Sequence, residues 1–102
     1  MTCPYQQNDQ KLQEICSQNR MIATTMLSVF RDSEAIVQLE PLLERYDIIT
    51  EQHEGCPLLL AELINNLALA YSREQREDDY ARLQERVERE ASYFARHGLI
   101  KH

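Results

Sequence analysis

His53 and Cys56 stand three positions apart, a spacing that could supply half of a tetrahedral metal site. The other half is missing. Cys3 and Cys16 are widely separated and neither forms a second close pair, so no metal ligand set is expected. A thiol and an imidazole can also work as nucleophile and base when the fold holds them within hydrogen-bond reach. Here His53 falls in a loop between apolar runs, and His97 and His102 fall near the last residue, with nothing to set them beside a thiol. The carboxylates of Asp78-Asp79 sit at a helix start, where the positive end of the helix dipole welcomes negative charge. Gly55 and Gly98 are isolated, which leaves no glycine-rich loop to cradle a phosphate. These residues predict a protein that is not an enzyme, with no catalytic residue, no metal and no cofactor.

The elements that must position any binding residue are helices. The 102 residues suffice for one domain with a thin core, and 43% of them are apolar, enough to fold. Two glycines and three prolines against an abundance of Leu, Glu, Gln, Arg and Ala favour helix nearly everywhere. The net charge of −6 weighs against nucleic acid, which calls for a basic stripe. Arginines do cluster between Arg73 and Arg96, but Glu74, Glu77, Asp78, Asp79, Glu85, Glu88 and Glu90 are interleaved with them. That run reads as a solvated face with one-turn pairs such as Glu85–Arg89 and Arg86–Glu90. The aliphatic stretch Leu58-Leu59-Leu60-Ala61 falls far short of the roughly 20 residues that cross a bilayer, so no membrane association is expected. The polar first residues, with Asp9 among them, do not read as a secretory leader. Three widely spaced cysteines, an odd number, suit reduced thiols and a cytoplasmic location.

Along the chain, residues 1–7 read as a flexible arm and 8–102 as a single helical domain. Leu12, Ile15, Ile22, Met26 and Val29 recur at steps of three and four, with Asn19 filling the vacant slot, which predicts a helix over about 8–30. Asp32 or Ser33 can cap a second helix over about 33–52, whose apolar face holds Ile36, Leu39, Leu42, Leu43 and Tyr46. Pro41 inside that run either kinks one helix or separates two. Gly55 and Pro57 mark the clearest break. A third helix over about 58–73 is apolar nearly all round and should be the buried centre. A fourth over about 77–97 carries Tyr80, Leu83, Val87, Ala91 and Phe94 on one face, with Leu99 or Ile100 folding back past Gly98.

A weak self-similarity links the two halves at an offset of 41 residues, laying Thr24-Thr25-Met26-Leu27-Ser28-Val29-Phe30 over Asn65-Asn66-Leu67-Ala68-Leu69-Ala70-Tyr71. The same offset puts Leu42 on Leu83, Glu44 on Glu85 and Arg45 on Arg86. Such a period suggests stacked helical hairpins, each unable to bury its apolar face alone. The fold expected is all-α, with about four helices as two stacked antiparallel hairpins or a helical bundle.

The run Leu39-Glu40-Pro41-Leu42-Leu43-Glu44-Arg45, a loop containing Pro57, and then Asn65-Asn66-Leu67-Ala68-Leu69-Ala70-Tyr71 resembles the tetratricopeptide repeat of kinesin light chains and related bacterial proteins. The resemblance covers about two degenerate repeats over residues 20–95. Departures from the family pattern are Thr24-Thr25 in place of the asparagines, Tyr80 in place of a small residue, and Gln75-Arg76 in place of the turn glycine. It implies a protein-interaction scaffold in which the first helix of each pair lines a concave groove. Carried over by position, the partner-binding residues would be Glu62, Asn65, Asn66, Leu69 and Arg73, with Thr24, Thr25, Ser28 and Arg31 as counterparts in the first repeat. Asparagine suits that task because its amide both donates and accepts, and can bracket the backbone of an extended peptide.

The function expected is therefore a small cytoplasmic adaptor or chaperone holding a segment of a partner protein in a helical groove. The alternative is a homo-oligomeric regulator that sequesters another regulator. It would self-associate through Leu12, Ile15, Asn19, Ile22, Met26 and Val29, a seam at heptad-like spacing with Asn19 setting the register.

Overall fold

The computed structural model describes residues 10–51, 55–96 and Gly98. The 1–7 arm, His53, His97, Leu99, Ile100 and His102 lie outside the described residues, as does Cys3. Helix α1 spans Gln10–Thr25 and turns Leu12, Ile15, Cys16, Asn19 and Ile22 inward. It ends earlier than the apolar period predicts, and hydroxyl groups mark the stop. Thr24 donates to the carbonyls of Arg20 and Met21, Thr25 donates to Met21, and Ser28 donates to Thr24. Such bonds compete with the helical ladder for the same carbonyl oxygens. A 3₁₀ turn over Leu27–Val29 follows, and Phe30 adopts a left-handed backbone with φ 62°. The Arg31 amide then closes the turn on the Met26 carbonyl at 2.9 Å.

Helix α2, Asp32–Thr50, starts with Asp32 and Glu34 at its positive end and runs unbroken through Pro41, which points outward. Its inner face holds Ala35, Ile36, Leu39, Leu42 and Tyr46. The Tyr46 hydroxyl donates to the Cys56 carbonyl at 3.1 Å, pinning the connection to α3. Gly55 is needed there: a Cβ would land on the Tyr46 hydroxyl oxygen and press on the Thr50 methyl. Helix α3, Pro57–Arg73, opens on its proline, where no amide is missed. It touches all four other helices and is the buried centre that its composition predicts. Its inner surface comprises Leu59, Leu60, Leu63, Ile64, Leu67, Ala70 and Tyr71. Each large apolar side chain buried this way contributes about 1.5–3 kcal/mol.

The turn after α3 repeats the chemistry of the first one. Gln75 is left-handed with φ 58°, and the Arg76 amide closes on the Tyr71 carbonyl at 2.9 Å. Helix α4, Glu77–Arg89, places three carboxylates in its first turn and Arg86 and Arg89 in its last. Where one fourth helix was expected, the chain breaks at Glu90 and resumes as α5, Ala91–Arg96, which buries Phe94.

Side-chain links fix how the helices run. Gln38 reaches Met26 and Arg45 reaches Glu14, so α1 and α2 are antiparallel. Tyr46 bonds Cys56 while Arg73 bonds Asp32, so α2 and α3 are antiparallel too. Asn19 meets Asn66 and the Leu27 carbonyl meets Arg73, which sets α1 beside α3 in the same direction. Glu40 to Arg76 and Asp47 to Arg86 do the same for α2 and α4. The all-α architecture is two hairpins stacked in register, with no strand among the described residues.

Candidate functional site

Because α1 and α3 run side by side, a shallow cleft opens along their seam. It measures about 290 Å³ and is lined by Asn19, Arg20, Ala23, Glu62, Asn65 and Asn66. Its floor is one hydrogen bond, from the Asn66 amide Nδ2 to the Asn19 Oδ1 at 2.9 Å. Asn19 is 1% exposed and occupies the polar slot in an otherwise apolar stripe. A buried amide costs free energy unless paired, and Asn66 supplies the pair. Its wall is an ion pair between Arg20 and Glu62 at 3.5 Å, both about one-third exposed. Asn65 stands at the rim, exposed to solvent.

One turn further along α3 lies Leu69, 41% exposed, and then Arg73. Arg73 is committed to the fold. Its Nη1 donates to the Leu27 carbonyl at 2.8 Å and to the Asp32 carboxylate at 3.1 Å, and its guanidinium lies 4.5 Å over the Phe30 ring. Of the nine residues carried over from the repeat resemblance, the fold thus gathers Glu62, Asn65 and Asn66 in one cleft and extends that face through Leu69. Thr24, Thr25 and Ser28 are exposed, but their hydroxyls turn back onto α1. Arg31 pairs with Glu34 on the flank, its Nε at 3.1 Å from the carboxylate. Sequence reasoning missed Arg20 and Ala23. Arg20 carried a signal, since it neighbours Asn19 and lies one helical turn before Ala23.

The seam expected for self-association is corrected by its burial. Leu12 and Ile15 are 0% exposed, Asn19 1% and Ile22 3%, so the chain's own core consumes the stripe. Met26 is partly covered and packs against that core, and only Val29 stands out, 56% exposed.

Comparison with protein-family models, curated proteins and solved structures gives no match. The site is therefore read from its own geometry.

A second cleft, about 370 Å³, lies between α2 and α4 beside Glu40, Asp47, Tyr71 and Arg86. Ion pairs and hydrogen bonds fill its chemistry. Arg86 grips the Asp47 carboxylate with both amino groups at 2.9 and 2.6 Å, and Tyr71 donates to Glu40 at 2.6 Å. Hydrogen bonding to Asp47 holds the Arg86 guanidinium more firmly charged than usual. Burial, reinforced by the Glu40 bond, pushes the Tyr71 hydroxyl well above its ordinary titration range. These two pairs answer one another within the cleft, and Arg86–Asp47 links α4 to α2. The expected one-turn pair Arg86–Glu90 is present at 3.8 Å, but Asp47 is the closer partner.

The cysteines depart from the expectation of three reduced thiols. Cys56 is disulfide-bonded and fully buried, so cysteine usage gives no argument for a reducing compartment. Cys16 is free, and burial raises its thiol above the usual value. Among the described residues no three His, Cys, Asp or Glu side chains converge as a metal-holding group, and no helix is long and apolar enough to cross a membrane.

Proposed function

We propose that this protein is a non-enzymatic interaction module, an adaptor or chaperone, that holds an extended segment of a partner protein along the α1–α3 cleft. The observation that carries the reading is the pair of adjacent amides on α3 with different duties. Asn66 is anchored to Asn19, while Asn65 beside it is exposed and makes no side-chain hydrogen bond among the described residues. A carboxamide presented this way both donates to and accepts from a peptide backbone. Its anchored neighbour keeps the helix face fixed, so little ordering cost falls on binding. The Arg20–Glu62 pair gives the cleft a neutral polar wall, suited to main-chain groups more than to a charged side chain. Parallel stacking of α1 on α3 is also what the tetratricopeptide resemblance implies, and it supports the same occupant. The self-association reading loses its surface, because the α1 stripe is inside the chain.

The test is a photo-crosslinking benzoylphenylalanine placed at position 65, expressed in the source cell, with the same group at exposed position 85 on α4 as control. A discrete adduct at 65 that is absent at 85 is the expected result. Equal, diffuse labelling at both positions would reject the cleft as a binding site.

A further inference from the structure

Cys56 is fixed from several sides. It stands immediately before α3, fully buried, and its carbonyl accepts from the Tyr46 hydroxyl at 3.1 Å and from the Leu60 amide at 3.0 Å. Gly55 beside it has no room for a Cβ under the Tyr46 hydroxyl. A sulfur held this way is a rigid post at the junction of the two hairpins, and it is disulfide-bonded.

The sequence holds three cysteines. Cys16 is free, which leaves Cys3 to complete the bond within this chain. Cys16 is also a poor competitor for exchange, because burial raises its thiol and so starves it of the reactive thiolate. The loop that a bond between positions 3 and 56 closes takes in the whole first hairpin, α1 through α2. Cross-linking across a loop this long removes much of the freedom of the unfolded chain. The helix that gains most is α1. Its polar ties to α3, Asn19–Asn66 and Arg20–Glu62, lie in its second half. Near its start Glu14 and Arg45 stand 4.0 Å apart and about half exposed, a surface pair that contributes little. The ends of a domain fray unless they are tied down.

We propose that Cys56 is bonded to Cys3, and that this disulfide is a redox-sensitive clasp on the first hairpin. Oxidised, it ties the start of α1 to the hairpin junction and keeps the α1–α3 cleft in shape. Reduced, it releases α1 to fray, and the cleft loses one wall. Opening is a two-electron exchange with a dithiol. One thiolate of the reductant attacks a sulfur of the bond, the S–S bond breaks, and the departing sulfur takes up a proton. The second thiol of the reductant then displaces the other sulfur, which is protonated in turn, and the reductant leaves as a disulfide. The clasp concerns the shape of the cleft, whatever segment occupies it.

The test starts from the native chain, alkylated without reductant and digested with trypsin. Cleavage after Lys11, Arg20, Arg45 and Arg73 puts each cysteine on its own peptide, 1–11, 12–20 and 46–73. Mass spectrometry should find 1–11 joined to 46–73, with 12–20 alkylated. Cys3→Ser reaches the open form without requiring a reductant to enter the core. It should lower the melting temperature by about 10–20 °C and abolish any further response to dithiothreitol. Amide hydrogen exchange should quicken over Gln10–Thr25 more than over Pro57–Arg73. A joined 12–20 peptide, a 46–73 peptide joined to its own copy, or alkylation of all three cysteines would overturn the pairing. The expected pairing with melting and α1 exchange unchanged in Cys3→Ser would overturn the clasp.

Discussion

Asn65 and Asn66 are identical in type and adjacent, yet substitution should affect them differently. Asn66→Ala removes the donor that meets the Oδ1 of Asn19, a residue 1% exposed. Leaving a buried acceptor unmet costs about 1–3 kcal/mol. In a domain this small that corresponds to a fall of roughly 4–8 °C in melting temperature for each kcal/mol. Asn65→Ala, at the exposed rim, should stay within about 0.5 kcal/mol of the native chain. Thermal melts of the two variants check this; equal melting temperatures would mean that the Asn19–Asn66 bond contributes nothing. Asn65 is accordingly the better probe of binding. The dipeptide was visible in the sequence, as was the polar slot at Asn19. That the two amides meet was not, because they lie 47 positions apart and only the stacking of α1 on α3 joins them.

At the scale of elements, helix existence was plain in the apolar spacing and helix ends were not. The first helix was expected to about residue 30 and stops at Thr25, where a 3₁₀ turn and the left-handed Phe30 let the Arg31 amide close on the Met26 carbonyl. The fourth was expected to be one piece, but Glu90 divides it so that Phe94 can reach the core. Pro41 left two options open in the sequence, a kink or a break, and packing chose a continuous α2 with the ring on the outside. Proline within a helix forfeits a backbone bond, here the one that would otherwise reach the Val37 carbonyl. Pro41→Ala should therefore raise stability by about 1–3 kcal/mol, read as a later midpoint in urea monitored by circular dichroism. An earlier midpoint would mean that the proline stabilises through a restricted unfolded chain instead.

Across the whole molecule, stability should fall off at both ends of the pH range. Asp79, at the start of α4, is held below the usual carboxylate range chiefly by its hydrogen bond from Arg76, with Arg82 adding to it. A depressed carboxyl contributes stability above its unfolded value and loses it as pH falls through the folded one, so stability should decline below about pH 4. Tyr46 and Tyr71 are pushed the other way, mainly by burial. A raised hydroxyl contributes fully below its unfolded value, and that contribution is lost as pH rises, so stability should decline again above about pH 10. Melting temperature against pH should show a plateau between these limits. Asp79→Asn should flatten the acid limb, and Tyr71→Phe the alkaline one. Unchanged limbs in both variants would remove these groups as the cause.

The sequence by itself determined the helices, the buried role of α3, the break at Gly55 and Pro57, and the amide pair worth testing. Those features are local: period, propensity and turn chemistry act within a few residues. Only the tertiary structure decided what each side chain faces. Leu12, Ile15 and Ile22 look the same on paper whether they meet a second copy or their own third helix, and the fold gave them to the core. Arg73 could have been a groove cation and is instead bound by Asp32 and stacked on Phe30, 41 and 43 positions back along the chain. Periodicity says which face of a helix is apolar; it holds no information on which other face will cover it.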